Sequence, residues 1–518
     1  MSESSPQQFL EQFIPELARK SKQLNQALWL LETTGASDAA ELKAGLDAEV
    51  RILLSDPGMY RKLVEWQKTP APPVVKRELD VLRRAFQQNQ VEKSLLQEIA
   101  SKEASLAQSY GSFRPMFRGQ FASENDLRKV LKTEEDIAQR KNAWGACKAI
   151  GPVLAPQILA LVALRNKMAK QLGFSDYFQM QLELQEVDRG WLLKTFEELG
   201  RASDKAYSAL RREIDAALSA RFRCRLEELG AWSWSDPFGQ EDPLDSHELD
   251  QLLEGVDIAQ ASTLFYQRMG LDVAPILARS DMLERPGKNQ HAFCIHIDRE
   301  GDIRTLNNVE PSMKWLETVL HELGHAIYEL GLDAKLPWLL REPPHMITTE
   351  AMALLAGRQA YREQSLRTLA RGTESLLKKA ALSLRRRQLI FSRWVLVMTA
   401  FESELYRDPT QDLNRLWWQL VETHQKIAAP KGRGASADWA CKYHLGLAPV
   451  YYFSYLLGEM FASEIQEALP GGSLDTPEAG KFLQEKLFAP GNRMPWDQLV
   501  RHVTGRPLSA EAWLREFC

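Results

Sequence analysis

Cysteine is scarce in this chain: Cys147, Cys224, Cys294, Cys441 and Cys518 are the only five among 518 residues. They are odd in number, widely spaced and form no Cys-x-x-Cys pair, so free thiols in a reducing compartment are expected rather than a disulfide framework. An excess of one charge is missing as well. The 65 Lys and Arg against 69 Asp and Glu leave a net charge of -4, which implies no general attraction to nucleic acid or to an acidic membrane. No uninterrupted apolar run reaches the length of a bilayer span. The opening residues Met1 to Gln8 have neither the basic nor the apolar stretch of a signal peptide. Repeats and low-complexity segments are absent. The expectation is a cytoplasmic protein with no nucleic-acid or membrane partner.

What is present is an ordinary globular composition, 44% hydrophobic and 26% charged, with an unusual fourteen Trp. These indoles suit helix packing or the walls of a large cleft. From residue 6 to about 230 the apolar residues recur at helical spacing, as in Phe9, Phe13, Leu17, Leu24 and Leu28. Asp56-Pro57-Gly58, Pro70 to Pro73 and Gly173 punctuate the pattern. Residues 231–243 form a Trp-, Asp- and Pro-bearing loop. His291 to Asp298, a turn at 299–302 and Ile303 to Leu306 read as one β-hairpin in a helical protein. Helical patterns resume through 347–358, 374–406 and 410–428, and a flexible stretch at 429–436 precedes an apolar helix ending near 468. The fold class is mainly α: a single catalytic domain of 1–518 in two helical parts, about 1–230 and about 231–518.

The chemistry centres on Val319 to Tyr328, whose polar residues spell His-Glu-x-x-His. Residues four apart share one helix face, so His321 and His325 can direct two imidazoles at one metal ion. Glu322, one residue on, is placed to hold the attacking water. This is the zincin pattern. Leu320, Leu323, Ala326, Ile327 and Leu330 make the remaining helix surface apolar. Glu310-Pro311-Ser312 supplies a start with Pro in the first turn, and Gly331 a stop. The bland alternative is a pair of structural histidines.

A catalytic zinc takes three protein ligands. Glu350 is the favoured third, on a helix that Thr348 or Thr349 would cap. Glu329 lies a turn past His325 on the same straight helix and cannot reach round the ion. Glu342 precedes a Pro pair, and His345 would complete a three-His site. Seven of the nine His fall between residues 291 and 444, which concentrates the chemistry there.

His321-Glu322-x-x-His325 with a Glu on the following helix resembles the gluzincin peptidases. The closest likeness is to the angiotensin-converting-enzyme family and its bacterial relatives, with the thimet oligopeptidase family next. Phe9 to Thr34 is similar to that family's opening helix, and Leu164-Arg165-Asn166 with Gly173 to Tyr177 to a later helix and turn. The resemblance implies an elongated, nearly all-α body with a deep central channel and one zinc ion. It also implies that His291, Ala292 and Phe293 lie on the strand binding substrate main chain. Lys442-Tyr443-His444 resembles a segment that handles the substrate's carboxylate and carbonyl. A following Tyr stabilises the oxyanion; Tyr452 is taken first and Tyr455 second, with Tyr451 as the ambiguous neighbour. Two departures stand out. The His and Asp that flank the family's zinc-binding Glu are Thr349 and Leu354 here, so support for the zinc-bound His must come from elsewhere. The chloride-binding Arg of the animal enzymes has no counterpart beside Tyr451.

The expected function is therefore zinc-dependent hydrolysis of short oligopeptides, as a peptidyl-dipeptidase or oligoendopeptidase. The same motif also looks like bacterial metallocarboxypeptidases that release single C-terminal residues. A peptide-binding protein without catalysis is the rival from another class, and an intact Glu322 argues against it. Nothing in the sequence speaks to oligomeric state.

Overall fold

The computed structural model describes residues 5–244 and 247–518. Helix dominates, as the periodicity predicts. Among the described residues, sheet is confined to two antiparallel ribbons, Met116–Phe117 with Gln120–Phe121 and Phe293–His296 with Ile303–Leu306. The first ribbon was not foreseen from the sequence. Its tight turn places Arg118 and Gly119 at φ 51° and 78°, the left-handed pair that a two-residue hairpin requires.

The chain does not divide at residue 230. One compact unit gathers Met1–Gln90, His247–Ala381 and Leu457–Ala512; the other gathers Val91–Ser246, Leu382–Leu456 and Trp513–Cys518. The reason lies in the opening helix, Pro6–Thr34, whose partners are distant in sequence. Ser5 and Gln8 form a capping box at its start, and Gly35 ends it in the left-handed conformation. Phe9, Phe13 and Leu17 pack with Leu63, Leu79, Leu82, Phe86 and Leu339 into one apolar cluster. Further along, the Asn25 amide donates to the carbonyls of His296 and Ile297, each at 3.2 Å. Trp29 meets Phe293 edge-on with ring centroids 6.1 Å apart. The N-terminal helices thus belong with the hairpin and the His-Glu-x-x-His helix.

In the second unit, the segment Ile137–Gln171 is long and apolar enough, by length and composition, to cross a membrane, contrary to the sequence expectation. Pro152 and Pro156 stand near the start of its second helix, Gly151–Gln171. Within this unit 44% of the apolar window is buried. Arg165, 1% exposed, donates to the Gly446 carbonyl at 2.6 Å and to Glu103 at 2.7 Å. An internal cation held by protein acceptors is the arrangement of a core helix.

Candidate metal centre and its surroundings

The motif helix runs Met313–Leu330. Ser312 caps it by accepting from Trp315 N at 3.3 Å, so Pro311 precedes the cap instead of occupying the first turn. The next helix, Met346–Gly357, lies directly against it. Small residues permit the close approach: a Cβ on Gly324 would sit 2.7 Å from Ala353 Cα. At Gly357 an added Cβ would lie 3.5 Å from His321 Cβ. A third helix, Phe453–Ala468, brings Gly458 against Glu350, where an added Cβ would stand 3.1 Å from the Glu350 Cβ. Arg358, just past the second helix, pins it to the third by donating from Nε to Glu459 at 2.8 Å and from Nη1 to Ser463 Oγ at 2.9 Å. The Tyr266 hydroxyl holds the motif helix by donating to the Leu320 carbonyl at 2.6 Å.

This packing brings His321, His325 and Glu350 together, with one ligand atom from each within 4.8 Å of the others. The Nε2 atoms of the two imidazoles are 3.2 Å apart, and Glu350 Oε2 lies 3.6 and 3.9 Å from them. Tetrahedral zinc with bonds near 2.0–2.1 Å spaces its ligand atoms by about 3.3 Å, so two nitrogens and one oxygen in this triangle fit the ion. Burial pushes the His321 imidazole down to about 4 and holds His325 well below its ordinary range, with the His321 ring adding to the effect. Neutral imidazoles keep the lone pairs that a metal needs. Glu322, 7% exposed, is pushed up to about 8 by burial and then by the Glu350 carboxylate.

The other third-ligand candidates have separate tasks. His345, and neither Thr348 nor Thr349, is the N-cap of the second helix: its Nδ1 accepts from Ile347 N at 2.9 Å. Glu342 accepts from Arg299 and from Asn492 Nδ2. Glu329 faces His296 Nδ1 at 3.0 Å, while His296 Nε2 accepts from Gly301 N at 3.0 Å, which fixes the proton on Nδ1. That bond ties the hairpin to the motif helix.

In the hairpin, Phe293 pairs with Leu306 and His296 with Ile303. The strand begins at Phe293, so Ala292 and the exposed His291 precede it, contrary to the longer strand expected. Asp281 bridges to the far side of Leu306, leaving Phe293–His296 as the outer strand among the described residues.

The second unit holds the remaining predicted residues. His444 and Tyr452 have ring centroids 4.8 Å apart, Tyr452 and Tyr455 5.5 Å, and Tyr451 and Tyr455 5.2 Å. Lys442, 6% exposed, donates to Gln240 Oε1 at 3.1 Å and lies 5.4 Å from the centre of the Tyr452 ring. Gln240 was not singled out from the sequence. Its loop is held by the buried Asp236, which accepts from the backbone N–H groups of Phe238, Gln240 and Glu241. The Asp-Pro-x-Gly run at 236–239 is the signal for such a turn, but not for what it presents. Val450 was also missed. It is β-branched yet has φ 57°, and its N–H donates to the buried Glu402 at 2.8 Å, directly before Tyr451.

Residues 130–518 match the model of peptidase family M3. The chain belongs to peptidase family M3. The description of that family is of peptidases. Residues 1–221 also match the model named angiotensin-converting enzyme. The angiotensin-converting enzyme of Rattus norvegicus is 25% identical over 443 residues, covering 76% of this chain and 33% of the relative. That of Oryctolagus cuniculus is 25% identical over 477 residues, covering 81% and 36%. The chain thus spans about a third of the length of the curated relatives it matches.

Support for a zinc-bound His in this M3 peptidase comes from an unexpected residue. His325 Nδ1 lies 2.7 Å from Thr349 Oγ1. With Nε2 turned to the metal triangle, Nδ1 carries the proton and donates to that hydroxyl. Thr349 was expected to leave the histidine unsupported; the hydroxyl does the work of a larger acceptor because Gly324 lets the two helices close in. Thr349→Val is expected to weaken zinc binding about 10–100-fold, read by competition with a chromophoric chelator. Zinc affinity within twofold of wild type would show that the hydrogen bond does not support the ligand.

Lys442 carries a stability consequence. Burial first, then Arg128, pushes its ammonium down to about 7. Between about 7 and about 10.4 the unfolded chain binds a proton that the folded chain lacks, so this group's contribution to stability rises with pH across that window. Below pH 7 the buried cation carries its full penalty, on the order of 5 kcal/mol. Lys442→Met is therefore expected to raise the melting temperature at pH 6.5, with the gain shrinking toward pH 10. A gain independent of pH would point to packing instead.

Proposed function

We propose that this M3 peptidase hydrolyses peptide bonds of short oligopeptides, using one zinc ion held by His321, His325 and Glu350. The triangle of their ligand atoms, with the buried Glu322 carboxylate one residue from His321, is the observation that carries the reading. Zinc, when bound, supplies a Lewis acid that polarises the scissile carbonyl and acidifies the attacking water. Glu322 takes the proton of that water on its carboxylate and passes it to the leaving amine. Tyr452, Tyr455 and His444 donate hydrogen bonds to the carbonyl oxygen as negative charge grows there. Phe293, with Ala292 and His291 before it, offers main-chain groups at the edge of the hairpin to an extended substrate. Lys442, oriented by Gln240, takes the C-terminal carboxylate, which favours short peptides. Cytoplasmic peptide turnover suits such an activity.

Mass spectrometry of a mixed oligopeptide pool tests the proposal, with zinc-loaded protein and Glu322→Gln as control. Products that vanish in the control are expected. Their masses distinguish loss of dipeptides, of single C-terminal residues, and internal cleavage. Absence of any product from zinc-loaded, folded protein would overturn the oligopeptidase reading.

A further inference from the structure

A second buried cation stands beside the Lys442–Gln240 pair, and the mechanism above leaves it unused. Lys148 is 2% exposed. Its ammonium lies 3.7 Å from the centre of the Phe238 ring and 5.6 Å from that of Trp144. Lys442 lies 5.2 Å from the same Phe238 ring. Two ammonium groups thus share one aromatic side chain, whose loop is fixed by Asp236 and by the Gln425 amide donating to the carbonyls of Phe238 and Gly239.

Among the described residues, Lys148 Nζ has no hydrogen-bond acceptor and no ion-pair partner. The nearby carboxylates are committed elsewhere: Asp438 accepts from Trp418 Nε1 and Arg433, and Asp236 from its own loop. Burial lowers the proton affinity of Lys148 and outweighs the opposing pull of nearby groups, the Asp438 and Asp236 carboxylates among them. A buried ammonium that touches ring faces and has no hydrogen-bond acceptor is costly, and a methionine would fill the same volume without that cost. An anion entering the site would offset it.

We propose that Lys148, beside the Lys442–Gln240 pair and across the same Phe238 ring, holds the side-chain carboxylate of an acidic C-terminal residue. Peptides ending in Glu or Asp are then the preferred substrates. Such a residue carries two carboxylates on a short carbon stem, one for each ammonium. The identification of the ligand as a peptide rests on the peptidase reading; the paired cations do not.

Isothermal titration of the zinc-loaded protein with the dipeptides Ala-Glu and Ala-Gln tests the subsite without hydrolysis. Wild type is expected to bind Ala-Glu at least about tenfold more tightly, the worth of one hydrogen-bonded charge. In Lys148→Met, and in Lys148→Gln as a second variant, that ratio is expected to fall to about one. A wild-type ratio near one, or a preference that survives both substitutions, overturns the proposal. Hydrolysis of a Gln-terminated hexapeptide, followed in parallel, judges the peptidase reading separately. Cleavage without a Glu preference in binding sinks only the subsite, and a Glu preference without cleavage supports the subsite while sinking the peptidase.

Discussion

Glu322→Gln is expected to lower kcat by about 10³-fold or more while the protein keeps its zinc. Both proton transfers in the proposed mechanism pass through this one carboxylate, and a general base alone contributes about 10²–10⁴. An amide matches the carboxylate in shape but cannot accept the proton, so the packing of the motif helix is left alone. Glu322 is not one of the three clustered ligand residues, and the imidazoles on either side keep their positions. The measurement pairs steady-state kcat with zinc content by atomic emission. Loss of activity with about one zinc per chain retained assigns the role to proton transfer. Activity within tenfold of wild type would remove Glu322 from the mechanism, and loss of the metal would make it a structural support of the site.

The zinc centre was legible because helical spacing alone aims His321 and His325 together, and because a third ligand must come from another element. Glu350 followed as the carboxylate best fixed on the next helix, and the structure brings it there. What escaped the sequence depends on contacts between distant segments. The cap of the second helix is His345 rather than a Thr, since a buried imidazole accepts the Ile347 N–H and frees Thr349 to face His325. No composition change near residue 230 marks a boundary because the units are woven from separate stretches, with Asn25 and Trp29 reaching the hairpin. Lys148 and Gln240 are ordinary in their local sequence. Only the fold places them round Phe238 with Lys442.

Tyr452→Phe is expected to lower kcat by about 10²–10³-fold with little change in KM, the effect of removing one donor to a developing oxyanion. Burial raises the Tyr452 phenol above its ordinary range, so the hydroxyl stays protonated and able to donate at any working pH. Its place is set from below. Val450 holds a left-handed backbone that its branched side chain disfavours, and the bond from its N–H to Glu402 helps to hold that conformation. The strained residue turns the chain so that Tyr452 enters the cluster with His444, Tyr455 and Trp394. Val450→Gly relaxes that constraint without touching the phenol, and a smaller fall in kcat is expected from it. Tyr455→Phe serves as the comparison. A larger loss there than in Tyr452→Phe would exchange the two roles. Losses under tenfold in both would mean that the growing charge is stabilised by zinc and His444 without either phenol.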